Sequence, residues 1–501
     1  MDNLLRGFCT RVWKYKGSDP IPCRFRSIPR FERNFRAFPV SPWSRQMVVD
    51  NALPRRRTLF QMAADSLETL PISSRDSTVY TFIKAEKFDY CAKPDADPRL
   101  IQPRSERFLV EHGTFMKAVE KPVYLCLARL QGGHPMVAKG YNARETARIL
   151  RTMWEEFRNP ICVSLDASRF DQHVSVEMLK FTHRIYRRFF ASPLDKQALS
   201  RICQWTLSNA GKARCREGSF KYEVRGRRMS GDMDTSLGNC LIMCALTYEF
   251  LTRCGLKFKI FNNGDDCLFI CERHAVPSAE SVLKWYHAYG FRVVEEERVG
   301  VFERISFCQT SPVFTLGGWV MCRSPRVLAK DLTYIGPKTA LSHWLDAIGQ
   351  CGLALCDGVP IFSVFYSLLL MPGKKKSKIH NSMLYSCGLT RLMEGLEHKG
   401  LTVTCGARLS FARAYGILPD DQIAIEREMM AIGSCNVNEM HSMDLGAFST
   451  VVSRECLLDY CLRMPRFPAN LCESSLCVES GPEWMGVREA ARSIHTDYFA
   501  P

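Results

Sequence analysis

Residues 258–270, FKIFNNGDDCLFI, place two adjacent carboxylates, Asp265 and Asp266, in a tight turn between two short apolar runs. The turn residues Asn262-Asn263-Gly264 and the apolar flanks predict a β-hairpin. Taken alone, such a turn is more often a polar loop than a site. However, like charges this close together repel each other, and a pair of Mg²⁺ ions would remove the repulsion.

A third acidic residue follows another apolar run. Residues 161–165, ICVSL, predict a buried strand that delivers Asp166 at its carboxyl end. Two-metal sites use carboxylates to clamp the attacking and leaving oxygens of a phosphoryl displacement. The candidate catalytic and metal-ligating residues are therefore Asp166, Asp265 and Asp266, with two Mg²⁺ as the expected cofactor and Mn²⁺ as a substitute.

Polar residues near this strand suggest a second role, the binding of a ribose. Asp171 lies in the turn beyond the strand, and residues 230–239, SGDMDTSLGN, form a small-residue loop that leads into a helix. Thr235 and Asn239 are i,i+4 neighbours on that helix, so both could reach one ligand. Asp171 and Asn239 together would hydrogen-bond a ribose 2′-OH, which distinguishes RNA from DNA.

The surrounding elements predict an α+β layer. A helix is expected from about 174 to 190, and a second begins at Asp234 or Thr235 and ends at Gly255. Ser278 caps a third helix that ends at Gly290, and residues 291–294 follow as a strand. The acidic residues gather at one edge of this layer.

Composition indicates a large folded chain with a polyanionic partner. The chain has 501 residues, 68 Lys and Arg against 52 Asp and Glu, and a net charge of +16. Its 46% hydrophobic content is that of an ordinary globular protein, so wholesale disorder is excluded, and the length argues against a small binding module. Charge does not separate a polymerase from a nuclease, a capsid protein or a ribosome-associated factor.

The cysteines and apolar runs argue against two further classes. The 23 cysteines contain no C-x₂-C pair, which argues against a zinc site and for reduced thiols. The longest apolar run, residues 361–371, is too short to span a bilayer. We therefore expect no intrinsic transmembrane segment.

The three runs resemble a known family. Residues 164–173, SLDASRFDQH, the 230–239 run and residues 263–267, NGDDC, are similar to motifs A, B and C of viral RNA-dependent RNA polymerases, most of all the tombusvirus-like plant-virus enzymes. The resemblance implies that Asp166 and Asp265 bind metal and that Asp266 supports the site. It also implies ribose selection by Asp171 and Asn239, and a template-responsive loop at Ser230-Gly231.

Other segments resemble further motifs of the family. Residues 82–87 and 98–107 resemble the basic motif F, which implies triphosphate binding by Lys84, Lys87, Arg99 and Arg104. Taken alone, such a stretch is more often a solvated basic loop. Residues 305–309 resemble motif E, so Phe307, Cys308 and Gln309 are expected to support the nascent strand. Motif D offers only Arg292 and Arg298 as proton-donor candidates.

By this resemblance the fold is a right-hand polymerase of fingers, palm and thumb, with an antiparallel palm sheet flanked by helices. The expected divisions are an N-terminal extension with fingers and fingertips (1–160), palm motif A (161–180), a fingers insertion (181–225), palm motifs B to E (226–320) and a thumb (321–501). The thumb carries a basic cluster at 374–378 that either follows RNA or is solvated.

The resemblance implies replication of a positive-strand RNA viral genome, with NTPs, an RNA template and its product as partners. The family usually carries an N-terminal membrane-targeting region, which this sequence lacks before Met1. Attachment to membrane-associated replication complexes in the host cytoplasm would then need a viral auxiliary protein or a missing N-terminal portion. Two alternatives remain open at this point, a reverse transcriptase-like polymerase and a non-catalytic RNA-binding or packaging protein.

Overall fold

The structure, a computed structural model, describes residues 1–13, 28–86, 95–332, 341–370, 389 and 393–438. The 374–378 basic cluster therefore lies outside the described residues. Fifteen cysteines in these ranges, from Cys9 to Cys405, are free thiols. Among the described helices, none combines the length and the apolar character that a bilayer crossing requires.

Sixteen α-helices lie in the described ranges. They are α1 Asp2–Arg11, α2 Pro29–Asn34, α3 Arg45–Asp50, α4 Pro54–Thr69, α5 Glu106–Leu130, α6 Ala143–Trp154, α7 Phe170–His173, α8 Val176–Arg187, α9 Pro193–Trp205, α10 Thr235–Arg253, α11 Ala279–Ala288, α12 Val327–Leu332, α13 Leu341–Leu355, α14 Phe362–Leu368, α15 Cys405–Tyr415 and α16 Pro419–Asn438.

Ten strands form three sheets in the same ranges. They are β1 Val79–Ile83, β2 Leu100–Ile101, β3 Pro160–Ala167, β4 Ser208–Cys215, β5 Gly218–Arg225, β6 Phe258–Asn263, β7 Asp266–Glu272, β8 Val293–Val299, β9 Thr310–Thr315 and β10 Gly318–Arg323. The third sheet is the β9–β10 hairpin.

The central sheet has the strand order β6-β7-β3-β8, and all its pairings are antiparallel. Its middle strands β3 and β7 are almost continuously apolar and are buried on both faces, and the side chains of one face belong to an extensive core cluster. Helix α10 packs on β6 and is buried along nearly its whole length. The predicted antiparallel sheet flanked by helices is therefore present.

The β6–β7 hairpin turns one residue later than the sequence suggested. Asn263 and Asp266 are paired, so the turn consists of Gly264 and Asp265 alone. Gly264 has φ +93°, a left-handed value that glycine adopts without strain, as the first position of a two-residue hairpin turn requires. The Asn262 amide stabilises the turn by donating to the Gly264 carbonyl oxygen at 2.9 Å.

The N-terminal sheet has the strand order β2-β1-β4-β5, with β1 parallel to β4. Helix α1 covers its inner face, where Leu4 and Phe8 join Val79, Ala213 and Val224 in a separate small core. The sheet therefore joins strands from the ranges 1–160 and 181–225, which are far apart in sequence.

The buried His183 on α8 predicts a loss of stability in acid. Burial lowers the pKa of His183 to about 3, with Arg228 and His112 acting in the same direction and Asp234 opposing them. The unfolded chain binds a proton near pH 6.5 that the folded chain excludes, so stability falls as the pH drops below 6.5. This residue alone should cost roughly 2 kcal/mol by pH 5.

Urea unfolding of the wild-type chain and His183→Gln at pH 7 and pH 5 measures this contribution. The variant should lose less stability than the wild type between pH 7 and pH 5. It lacks the imidazole that takes up a proton only in the unfolded chain. The exposed His287→Gln is the matched control. Equal losses in all three proteins would contradict the assignment.

Candidate active site

Two strands of the central sheet bring the three acidic residues together. Strand β3 runs antiparallel to β7, and the register places Asp166 directly opposite Asp266. Such partners have Cβ atoms about 4.5–5.5 Å apart. Asp265 directly precedes β7 as the second residue of the turn. Three carboxylates therefore meet at one end of two paired strands, as the sequence indicated.

The electrostatics of this strand end disfavour the ionised form of Asp266 in the absence of a cation. Burial raises the pKa of Asp266 to about 6, with the charges of Asp265 and Asp166 acting in the same direction. Glu296 on β8 is affected by the same group of charges, because its pKa is raised mainly by burial and also by the charge of Asp166. A divalent cation among these groups would favour their charged forms. Sequence reasoning missed Glu296, whose strand carries three consecutive glutamates without a motif.

The donor set suits a hard divalent ion, because Mg²⁺ and Mn²⁺ prefer carboxylate oxygens. In the part of the chain that the structure describes, no three His, Cys, Asp or Glu side chains already form a metal-binding cluster. The residues thus fit the ions by ligand type and by convergence at one strand end.

A second polar cluster surrounds Asp171, which lies in the short helix α7 directly after β3. Asn239 Nδ2 donates to one oxygen of this carboxylate at 2.7 Å, and the Ser230 hydroxyl donates to the other. Burial raises the pKa of Asp171, while these two hydrogen bonds lower it. The predicted pair of Asp171 and Asn239 is therefore in direct contact.

The other amide atom of Asn239 has no partner. Its Oδ1 is buried and accepts no hydrogen bond from any residue within the described ranges. A buried acceptor left unpaired costs free energy, so the site is arranged to receive a donor from outside the chain. A hydroxyl group of a bound ligand would supply such a donor.

The Thr235 hydroxyl contacts the loop that precedes α10. Its hydroxyl lies 2.8 Å from the Met229 carbonyl oxygen and 2.9 Å from that of Asp232. It also accepts from the Gly231 amide at 3.4 Å. The i,i+4 spacing was correct, but the loop folds back over the first turn of α10 and occupies this hydroxyl.

Gly231 is required where the loop touches the segment before α5. A Cβ added to Gly231 would lie 2.7 Å from the Pro103 nitrogen, which is backbone and cannot move aside cheaply. The Gln102 amide donates to the Ser230 carbonyl oxygen at 3.0 Å. The loop that carries Ser230 is thus held against the segment that directly follows β2.

Arg104 occupies a different environment from the one expected of a triphosphate ligand. Its side chain is 1% exposed, and its Nε and Nη2 donate to the two carboxylate oxygens of Asp232 at 2.7 and 3.1 Å. Its remaining donors reach Asn209 Oδ1 and the Ser77 carbonyl oxygen, both at 2.5 Å. Because these donors are engaged, Arg104 stabilises the loop that carries Asp232. Triphosphate binding does not fit this environment of Arg104.

Lys84 and Arg99 remain accessible, while Lys87 lies outside the described residues. Lys84 Nζ and Arg99 Nη1 share Glu86 as an ion-pair partner, at 3.2 and 3.6 Å. Lys84 lines a cavity of about 400 Å³ together with Asn263 and residues 307–310. The cavity therefore lies between this basic segment and the acidic hairpin.

Phe307, Cys308 and Gln309 form a tight turn beside the acidic hairpin. Phe307 and Thr310 exchange backbone hydrogen bonds at 2.9 and 3.0 Å. The two residues between them, Cys308 and Gln309, both have positive φ, at +52° and +61°, as in a type I′ turn. Asn263 Nδ2 lies 3.0 Å from Cys308 Sγ, so this turn contacts the hairpin that carries Asp265.

A buried ion pair under the loop was not foreseen. Asp234, one of the two residues that could cap this helix, occupies the N-cap position without a side-chain cap hydrogen bond and lies 2.5 Å from Arg228 Nη1. Both side chains are at most 3% exposed, and the pKa of Asp234 falls to about 2 because Arg228 and the nearby histidines outweigh the effect of burial. Gly238 makes room for Arg228, since a Cβ there would lie 2.1 Å from Nη2.

The two motif D candidates, Arg292 and Arg298, lie just before and within β8. Arg298 forms an ion pair with Glu295 on its own strand, which lowers its availability for other contacts. Arg292 precedes β8, and its carbonyl oxygen accepts from the Ser168 amide at 2.9 Å.

A family model described as viral RNA dependent RNA polymerase matches residues 1–434 of the chain. The chain is also similar to curated proteins named RNA-directed RNA polymerase from plant-infecting viruses. It is 39% identical over 464 residues to that of Groundnut rosette virus (strain MC1), an alignment that covers 91% of this chain and 54% of the relative.

Two further relatives give similar values. Identity is 37% over 443 residues to the protein of Tobacco necrosis virus (strain A), covering 85% of this chain and 60% of the relative. The chain is also 37% identical over 445 residues to the protein of Turnip crinkle virus, and this alignment covers 85% of the chain and 56% of the relative. The chain thus spans about half the length of the curated relatives it matches.

Proposed function

We propose that this chain, which belongs to the viral RNA-dependent RNA polymerase family, replicates a positive-strand RNA viral genome by adding NTPs to the RNA 3′ end on an RNA template. The observation that carries the proposal is the register of the central sheet. This register sets Asp166 opposite Asp266, next to Asp265. Asp171, directly after β3, contacts Asn239 near the start of α10.

Each acidic residue has a distinct role in this proposal. Asp166 and Asp265 would hold two Mg²⁺, or Mn²⁺ in their place, and Asp266 would support them. The ions supply activation of the 3′-OH and stabilisation of the charge on the transferring phosphoryl group. Lys84, which lines the cavity, and Arg99, which shares Glu86 with it, would neutralise the triphosphate, with Lys87 as a further candidate.

The parts of a right-hand polymerase can be assigned on the same basis. The central sheet would be the palm, the N-terminal sheet with α5 would belong to the fingers, and the residues from 321 would form the thumb. The turn at Phe307, Cys308 and Gln309 would support the nascent strand. Support for this assignment comes from the position of that turn against the acidic hairpin.

Ribose selection would reside in the Asp171 cluster. The unpaired Asn239 Oδ1 is placed to accept from a ribose hydroxyl, and Asp171 holds the Asn239 amide in that orientation through Nδ2. Ser230 fixes the second oxygen of Asp171, so the loop and the ribose site would move together. A deoxyribose offers no 2′-OH, which would leave this acceptor unpaired.

Asn239→Asp should weaken the preference for NTP over dNTP by about tenfold or more, the equivalent of one charge-assisted hydrogen bond. The new carboxylate would face Asp171 and turn the attraction into repulsion. Single-nucleotide incorporation with matched NTP and dNTP measures the ratio of kcat/KM values. The exposed Asn51→Asp carries the same charge change and should keep the wild-type ratio.

The same assay separates the polymerase from its two alternatives. A reverse transcriptase-like enzyme would prefer dNTP, and such a preference in the wild-type chain would contradict the proposal. A non-catalytic RNA-binding or packaging protein would incorporate neither nucleotide. The convergence of three carboxylates favours the catalytic interpretation, because a protein that only binds RNA has no use for them.

The partners would be the RNA template, its product and NTPs. We further propose that the chain acts in the host cytoplasm at membrane-associated replication complexes. A viral auxiliary replication protein, or sequence beyond this chain, would provide the attachment. The support is that the matched relatives are longer than this chain.

A further inference from the structure

The outer face of the N-terminal sheet exposes two aromatic rings. Tyr80 and Phe82 on β1 are 51% and 46% exposed, while their neighbours Val79 and Thr81 are buried on the inner face. Within the described residues, neither ring packs against another aromatic side chain. Two large rings left open on one strand face have no role in the core, which α1 covers from the other side.

Cations lie beside these rings on the same face. The register places Tyr80 next to Lys212 on β4, and Lys212 next to Lys221 on β5. Arg214 and Arg225 lie on this face as well, and one acidic residue, Glu223, is among them. All four cations are exposed, and none forms an ion pair with a residue that the structure describes.

The face continues to the cavity beside the acidic hairpin. Phe82 pairs with Ile101, and further along the two strands the Lys84 amide donates to the Arg99 carbonyl oxygen at 2.8 Å. Lys84 also lines the cavity with Asn263. The rings and cations thus form one strip that begins at the far edge of β5 and ends at the cavity.

We propose that this strip, defined by Tyr80, Phe82, Lys212, Arg214 and Lys221, binds single-stranded RNA and leads the template toward the cavity. Bases would stack on the two rings, and phosphates would lie against the cations, a combination that recognises single strands without sequence preference. The positive charge of the face favours a polyanion such as RNA. The identity of the strand as template rests on the proposed function.

The test uses fluorescence anisotropy to measure the affinity of the full chain for a labelled, unstructured RNA in the absence of NTPs. The RNA is about 20 nucleotides long, which exceeds the site size of a typical single-strand binding module. Tyr80→Ala/Phe82→Ala should weaken binding by roughly tenfold or more, because two stacking platforms are removed. Its control, Met62→Ala/Leu194→Ala, removes two exposed apolar side chains from elsewhere and should bind like the wild type.

A charge variant tests the cations independently of the rings. Lys212→Gln/Lys221→Gln should reduce the slope of log affinity against log salt by about 0.7 for each phosphate that the variant no longer neutralises. The exposed Lys180→Gln should leave the slope unchanged. Equal denaturation midpoints for all variants would show that folding is intact.

Unchanged RNA affinity in both double variants would overturn the proposal, as would a wild-type chain that does not bind the RNA. Binding needs no catalysis, so this outcome is separate from the fate of the polymerase assignment. A wild-type chain that binds RNA through this strip but incorporates no nucleotide would sustain the strip and contradict the proposed function.

Discussion

Asp265→Ala should abolish nucleotide incorporation, with a loss of about 10³-fold or more. The turn residue would be a metal ligand, and an ion that stabilises the transition state by several kcal/mol accounts for a factor of this size. Asp265 is exposed in a two-residue turn, so alanine there leaves the packing of the core unchanged. The fold and the affinity for RNA should therefore be retained.

Single-turnover incorporation and RNA anisotropy on the same preparation give the two readouts. Asp65→Ala, which removes an exposed carboxylate from α4, is the matched control and should keep full activity. An equal loss of incorporation and of RNA binding would favour the binding-protein interpretation. Retained incorporation by Asp265→Ala would remove the acidic hairpin from the reaction.

Arg104→Met should destabilise the chain by roughly 3–5 kcal/mol, the effect of leaving a buried carboxylate without its partner. Asp232 would keep its charge in a position that is 4% exposed, and Asn209 Oδ1 would have no donor from Arg104. Urea unfolding measures the change. The exposed Arg55→Met on α4 should stay within about 0.5 kcal/mol of the wild type.

A kinetic measurement distinguishes this role from triphosphate binding. If Arg104 contacted the triphosphate, Arg104→Met would raise the KM for NTP and leave the free energy of unfolding unchanged. That result would contradict the structural role of the Arg104–Asp232 pair. A second variant, Arg104→Met/Asp232→Leu, should be more stable than Arg104→Met, because no unpaired charge remains.

The strand ends that bear the three carboxylates were predictable from sequence because their signals are local. An apolar run before Asp166 and a hairpin around Gly264 follow from side-chain pattern and turn chemistry over a dozen residues. The three motifs led to the family, which the match over residues 1–434 confirms. The motifs also paired Asp171 with Asn239 as residues that act on one ligand, and the two side chains are in direct contact.

The errors concern residues whose partners are distant in sequence or whose local pattern misleads. Arg104 and Asp232 are 128 residues apart, and no periodicity or turn signal reports such a pair. Asp234 matched the pattern of a helix cap, yet burial beside Arg228 gave it a stronger charged partner. The positive φ values at Cys308 and Gln309 had no local signal, because neither residue is Gly or Asn, the usual residues at such positions.

The most direct test of the account is RNA synthesis by the purified chain on a defined RNA template with Mg²⁺ and the four NTPs, with Asp265→Ala in parallel. We predict a labelled RNA product complementary to the template from the wild-type chain and none from the variant. A wild-type chain that makes no template-dependent product, or one that the variant makes equally well, would contradict the assignment of a polymerase centred on Asp166, Asp265 and Asp266.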